Sequence, residues 1–120
     1  MAKINLEEKF NLIDDYWHPR IIGILNGQLV KIAKFYGSFE MHKHDHEDEL
    51  FQVVKGQIQI KFEDRTITLK ESEMIIVPKG VLHQPSAVEE AWVLMIEPAS
   101  TVNTGENENS DLTRKQLDWI

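Results

Sequence analysis

The run Gln57-Ile58-Gln59-Ile60-Lys61-Phe62 alternates polar and apolar residues without a break. Side chains of an extended strand point in turn to opposite faces, so this run describes a strand with one wet face and one face in a core. It is one of a series. Residues 21–25, 28–36, 49–55, 66–69, 74–77, 81–86 and 90–98 are short β-rich runs, and 41–44 reads as a further extended piece. Turn signals separate them, among them Asn26-Gly27, Gly37, Gly56, Glu63-Asp64-Arg65 and Pro78-Lys79-Gly80. Short strands at regular spacing, with no long helical pattern among them, predict an all-β sandwich or barrel.

The two ends differ from this pattern. Asn5 followed by Glu8 is a capping-box-like start that places Leu6, Phe10 and Ile13 on one face of a short helix. Asp14-Asp15 and Trp17-His18-Pro19-Arg20 end it. The chain thus divides into an N-terminal segment (1–27), a barrel core (28–98) and a C-terminal region (99–120) within a single domain. Residues 99–111 are polar and predict a mobile connector. Leu117, Trp119 and Ile120 restore apolar character, so the tail docks either on its own barrel or on a second subunit, and sequence does not decide between these.

Composition removes several function classes. A formal net charge of −7 without a basic cluster argues against nucleic acid. No apolar run has the length of a membrane span. The absence of cysteine excludes disulfides, thiolate metal sites and cysteine nucleophiles, and fits a reducing compartment. Met1-Ala2-Lys3-Ile4-Asn5 carries no signal-peptide core, so the expectation is a cytoplasmic protein.

The chemistry lies in His42-Lys43-His44-Asp45-His46-Glu47-Asp48-Glu49 and, far along the chain, Pro78-Lys79-Gly80-Val81-Leu82-His83. His42 and His44, two apart in an extended segment, project to one face. Glu49 can join them from the start of the next strand, and folding can bring in His83. Three imidazoles and a carboxylate form a mixed N/O set suited to one divalent transition metal (Fe, Mn, Ni, Cu or Zn) rather than to calcium or magnesium. His46 competes as a ligand in a His44-x-His46 register, but reads better as a solvent-facing or rim residue. Phe35, Phe39, Met41, Phe51, Trp92 and Met95 are core candidates, with Met41 and Phe51 nearest the ligands in sequence. His18 reads as a packing or capping residue. Arg20 is the one candidate clamp for a substrate carboxylate.

Gly37, His42-x-His44, Glu49 and Gly56 resemble the first motif of the cupin family, and Pro78-x-Gly80-x-x-His83 resembles the second. Trp17-x-Pro19-Arg20 and Glu97-Pro98-x-x-Thr101-Val102-Asn103-Thr104-Gly105 are similar to features of a subgroup of small single-domain cupins. The resemblance implies a jelly-roll β-barrel, commonly dimeric, with a metal on His42, His44, Glu49 and His83. The chain departs from the family pattern in three places. One residue fewer separates Gly37 from His42, Ser72 stands where the second motif has glycine, and Ala87 stands where it ends in asparagine.

A small metalloenzyme of oxygenase, isomerase or lyase type, acting on a compact polar or carboxylated metabolite, is the function these residues fit first. A non-catalytic binding or sensing module and a structural homodimer braced by its metal are the alternatives. No general acid or base stands out beyond the ligands, with His46 and Glu40 candidates by proximity alone.

Overall fold

The structure, a computed structural model, describes residues 1–107 and 109–120. Among the described residues a single short helix, α1 (Leu6–Phe10), precedes β1 (Arg20–Leu25), β2 (Gln28–Ser38), β3 (Glu49–Lys55), β4 (Gln57–Lys61), β5 (Thr66–Lys70), β6 (Met74–Val77) and β7 (Gln84–Pro98). The all-β jelly-roll class expected from the sequence is the one observed. Asn5 caps α1 as its spacing predicts, its Oδ1 accepting from the Glu8 N–H at 2.9 Å. Asn26 and Gly27, with φ of 51° and 79°, form the left-handed pair that a tight hairpin between β1 and β2 needs.

β7 is the hub. It runs antiparallel to β2 from Gln28↔Pro98 to Ser38↔Ser86, with a register shift between Phe35 and Gly37. Its other edge is shared between β4, opposite residues 84–86, and β3, opposite residues 92–96. β6 pairs with β3 and β5 with β4. The sheet thereby rolls on itself, although among the described residues no pairing joins β5 to β6 to close a ring.

Two sequence expectations change here. The separate runs over 81–86 and 90–98 are one continuous strand. Val88, Glu89 and Glu90 are exposed on it, and the β2 register shifts between Phe35 and Gly37, so a bulge bends the strand where composition suggests a break. Conversely, residues 41–44 form no strand and contribute only an isolated bridge, His42↔His83.

Two apolar clusters hold the fold. Inside the roll lie Phe35, Phe39, Phe51, Val53, Ile58, Ile60, Val93 and Met95 with Trp17, whose ring stacks on Phe35 at 4.2 Å. The alternation of β4 is explained directly, because Ile58 and Ile60 are fully buried while Gln57 and Lys61 are exposed. On the outer face, α1 and the turn after it set Phe10 and Ile13 against Ile22, Ile32 and Trp92. Phe10 and Trp92 stack with centroids 4.8 Å apart.

Residues 99–107 are not the loose connector their composition predicts. Thr101 and Thr104 are buried, and the side chains of Asn103 and Thr104 bond to the protein's own backbone. Asn103 Nδ2 donates to the Leu112 carbonyl (2.9 Å), its Oδ1 accepts from the Arg114 N–H (2.7 Å), and Thr104 Oγ1 donates to the Asn107 carbonyl (2.7 Å). Glu108, part of the predicted connector, lies outside the described residues. The tail docks in cis. Ile21 N–H donates to the Asp118 carbonyl (2.9 Å) and Ile120 N–H to the Ile21 carbonyl (3.1 Å). Ile120 packs on the outer cluster while Trp119 stays exposed. No helix among the described residues is long and apolar enough to cross a membrane.

Candidate metal centre

His42 and His44 lie in the loop between β2 and β3, Glu49 is the first residue of β3, and His83 directly precedes β7. Backbone bonds join these distant pieces. His42 N–H donates to the His83 carbonyl (3.0 Å), His83 N–H to the His42 carbonyl (2.9 Å), and Gly80 N–H to the His44 carbonyl (2.7 Å). The 78–80 turn is held in addition by Asp48, whose Oδ1 accepts from the Lys79 N–H at 2.9 Å. Part of the acidic run is therefore a brace for the loop that aims His83.

All four side chains are buried, and each offers a donor atom within 4.8 Å of the others. The hydrogen bonds choose the tautomers. His42 Nδ1 lies 2.9 Å from the Glu40 carbonyl, and His83 Nδ1 lies 2.9 Å from the Val81 carbonyl. A carbonyl only accepts, so the proton sits on Nδ1 and each Nε2 presents a lone pair. His83 Nε2 nonetheless faces Glu49 Oε1 at 3.3 Å, and His44 Nε2 faces the same oxygen at 3.5 Å. Both nitrogens of His44 are buried without a hydrogen-bond partner. Electron-pair donors converging in a dry site repel unless a cation lies between them. A proton on one imidazole relieves one contact, whereas a metal ion satisfies all four donors at once. The residues fit a divalent transition metal.

The electrostatics agree. Burial, reinforced by His83 nearby, pushes His42 down to about 4, so at neutral pH it is the neutral imidazole that a metal requires. Burial pushes Glu49 up, but the carboxyl of Glu97 and the imidazoles of His44 and His83 outweigh it and hold Glu49 well below the usual carboxylate range.

His42 and Glu49 form part of the wall of a small cavity of about 30 Å³. Trp17, Phe35, Phe39, Phe51 and Met95 supply apolar walls, and Glu97 and Asn103 the remaining polar ones. Phe51 thus lines the cavity as its sequence position suggests, whereas Met41 does not, and Trp92 belongs to the outer cluster. His46 is exposed and stands outside the cluster. Arg20 is corrected as an anion clamp. Its Nη1 donates to Asp15 Oδ1 (2.6 Å) and to the His18 carbonyl (2.8 Å), and it does not line the cavity. His18 Nδ1 meets the other oxygen of Asp15 at 2.8 Å, in agreement with a capping role.

Three further residues shape the site. Lys31 and Glu97 are buried inside the roll, with Nζ 2.8 Å from Glu97 Oε1. Each interrupts an apolar strand run at a position in phase with buried neighbours, a signal that the sequence does carry. Burial and then the charge of Glu49 raise the Glu97 carboxyl well above its ordinary range, against the pull of Lys31. Gly105, with φ of 59°, lies against the His42–His44 loop, where a Cβ would overlap the Lys43 carbonyl oxygen and touch the His42 ring. Beside it, Glu106 N–H donates to that same Lys43 carbonyl (3.0 Å).

The cupin domain family profile matches residues 28–97. A cupin-2 domain containing protein from Shewanella frigidimarina is similar in structure, with a TM-score of 0.78 and 44% identity over 79% of this chain and 93% of its own. A protein from Neisseria meningitidis has a TM-score of 0.75 and 32% identity over 81% of this chain and 99% of its own. The uncharacterized protein YdbB of Bacillus subtilis is 38% identical over 64 residues, or 52% of this chain, and the match spans 57% of that protein's length. On the extent of the family match and on these relatives, the chain belongs to the cupin domain family.

Proposed function

We propose that this protein is a metal-dependent cupin, an enzyme of oxygenase, isomerase or lyase type that holds one divalent transition metal on His42, His44, Glu49 and His83. Its substrate is a compact polar or carboxylated metabolite in the adjoining cavity. The observation that carries the reading is the convergence of four buried donors, two of which, His42 and Glu49, line an apolar cavity, with Nε2 lone pairs of His42 and His83 freed by their carbonyl bonds. A bound metal would supply Lewis acidity and a site for substrate oxygens. The chain's own contribution is to orient the imidazoles through Glu40 and Val81 and to exclude water with Trp17, Phe35, Phe39 and Phe51. The dimer implied by the resemblance belongs to the same proposal. Beyond Ile21, where the chain's own tail pairs, β1 is an edge of the sheet with Ile24 and Leu25 exposed, and light scattering tests whether two chains pair.

The test is elemental analysis of tag-free protein purified without chelator, beside the double variant His42→Ala/His83→Ala. About one Fe, Mn, Ni, Cu or Zn per chain, lost in the variant, supports the reading. Absence of metal after reconstitution with each ion overturns it.

A further inference from the structure

The metal centre is closed. His42, His44, Glu49 and His83 are 4%, 2%, 4% and 1% exposed, and the cavity beside them, about 30 Å³, has room for little more than a water molecule. A hydrated metal ion, or any metabolite, reaches these donors only when part of the wall moves.

Most of that wall is fixed. Phe35, Phe51, Met95 and Glu97 stand on β2, β3 and β7, which pair with one another in the sheet. Trp17 is clamped to β2, its backbone N–H donating to the Lys34 carbonyl (3.0 Å) and its Nε1 to the Tyr36 carbonyl (2.9 Å). Phe39 N–H donates to the Pro85 carbonyl (2.9 Å), and His42 is stitched to His83. Asn103 differs on two counts. It is the wall residue that is not buried, and it lies outside the strands.

Residues 99–107, which carry Asn103, are fastened to the roll by bonds between loops. Ser100 Oγ donates to Glu47 Oε2 (3.1 Å), Glu106 N–H to the Lys43 carbonyl (3.0 Å), and Glu106 Oε1 accepts from the Asp45 N–H (3.2 Å). Each of these lands on the loop between β2 and β3. Asn103 ties the segment to the Leu112 carbonyl and the Arg114 N–H, and Leu112 packs on the inner cluster. Thr101 supplies an independent observation. Its Oγ1 is buried with no partner among the described residues, so the closed segment holds a dry hydroxyl that water satisfies once the segment lifts. A segment held by exposed bonds and carrying that cost opens at low free energy.

We propose that residues 99–107 are a lid on the metal centre, bolted by Asn103, and that metal and metabolite enter when it lifts. The proposal rests on the metal-site reading above. Asn103 is a positioning residue here, since it holds the lid and touches no ligand of the metal.

Stopped-flow measurements on the full chain test the lid. Cobalt(II) uptake by metal-free protein and cobalt release into excess EDTA are both read from visible absorption. In Asn103→Ala both rates should rise about tenfold, the weight of one or two hydrogen bonds, while Kd stays within about threefold. A segment that only braces the ligands would speed release alone and weaken Kd to match. That result, or unchanged rates, overturns the proposal. Should the variant not fold, native-state hydrogen exchange of the wild type decides. The amides of Glu106 and Arg114, bonded to Lys43 and Asn103, should exchange together and about a hundredfold faster than amides paired within β2, β3 and β7. Equal protection overturns the proposal. Wild-type protein that takes up no cobalt is a distinct failure, visible before any EDTA is added, and it overturns the metal reading and this proposal together.

Discussion

His42 and His83 exchange both of their backbone hydrogen bonds, N–H to carbonyl at 3.0 Å and 2.9 Å, in a bridge that belongs to no named strand. Two imidazoles whose residues lie far apart in the chain are thereby set side by side, with ring centroids 4.3 Å apart, by their own main chains. The bridge is short, so the site is positioned by a loop-to-loop stitch on the rim of a rigid roll, and a bound cation would add to that stitch.

Metal binding should therefore be strongly stabilising. At a free metal concentration one hundred times Kd, linkage gives about 2.7 kcal/mol, which for a chain of this size is a rise in Tm of roughly 10 °C. Calorimetry with and without added zinc measures it, and His42→Ala/His83→Ala should show no rise.

The metal-free protein should lose stability in mild acid. His42 is held at about 4 against an ordinary value of 6.5, so the unfolded chain binds its proton first as pH falls. The stabilisation is complete above about pH 6.5 and disappears between there and about pH 4, amounting to about 3 kcal/mol. Glu49, held well below its ordinary range, adds its loss only at still lower pH. Urea denaturation at pH 7 and pH 4.5 checks this, and His42→Gln should flatten the difference.

Gly105→Ala should be more damaging than a surface loop substitution. The new methyl group overlaps the Lys43 carbonyl oxygen, and a φ of 59° is strained for any side chain. We expect a loss of about 2–4 kcal/mol in urea denaturation and weaker metal uptake, because the displaced backbone lies between two ligands.

Lys31→Met alone should cost about 1–3 kcal/mol by leaving the buried Glu97 Oε1 without its donor. Lys31→Met/Glu97→Leu should recover most of that loss, as removing both partners of a buried pair is often close to neutral. The comparison by thermal denaturation overturns the buried-pair account if the double variant is as unstable as the single one.

Ser72→Gly should stabilise the fold by about 0.5–1 kcal/mol. Ser72 has a φ of 73°, and its N–H donates to the Val53 carbonyl at 2.9 Å, so the turn keeps the left-handed backbone although the side chain is not glycine. Glycine removes the strain, and its greater freedom in the unfolded chain returns part of the gain. A rise of a few degrees in Tm is the expected result.

The strands over residues 49–55, 57–61 and 74–77, the Asn26-Gly27 hairpin, the capped N-terminal turn and the four clustered donors were all legible in the sequence. Each depends on local rules: alternation sets a face, turn residues set φ, and a two-residue offset puts His42 and His44 on one side. What only the tertiary structure decided depends on register and on where polar groups find partners. Nothing local says that Lys31 and Glu97 meet across β2 and β7, that Asp15 occupies Arg20, or that one bent strand runs through 84–98. The polar stretch after Pro98 reads as solvated because composition counts donors and acceptors without their partners. In the fold Asn103, Thr104 and Gly105 bond to or press on the protein's own backbone, because buried polar groups must be paired and only the assembled chain determines which pairs can form.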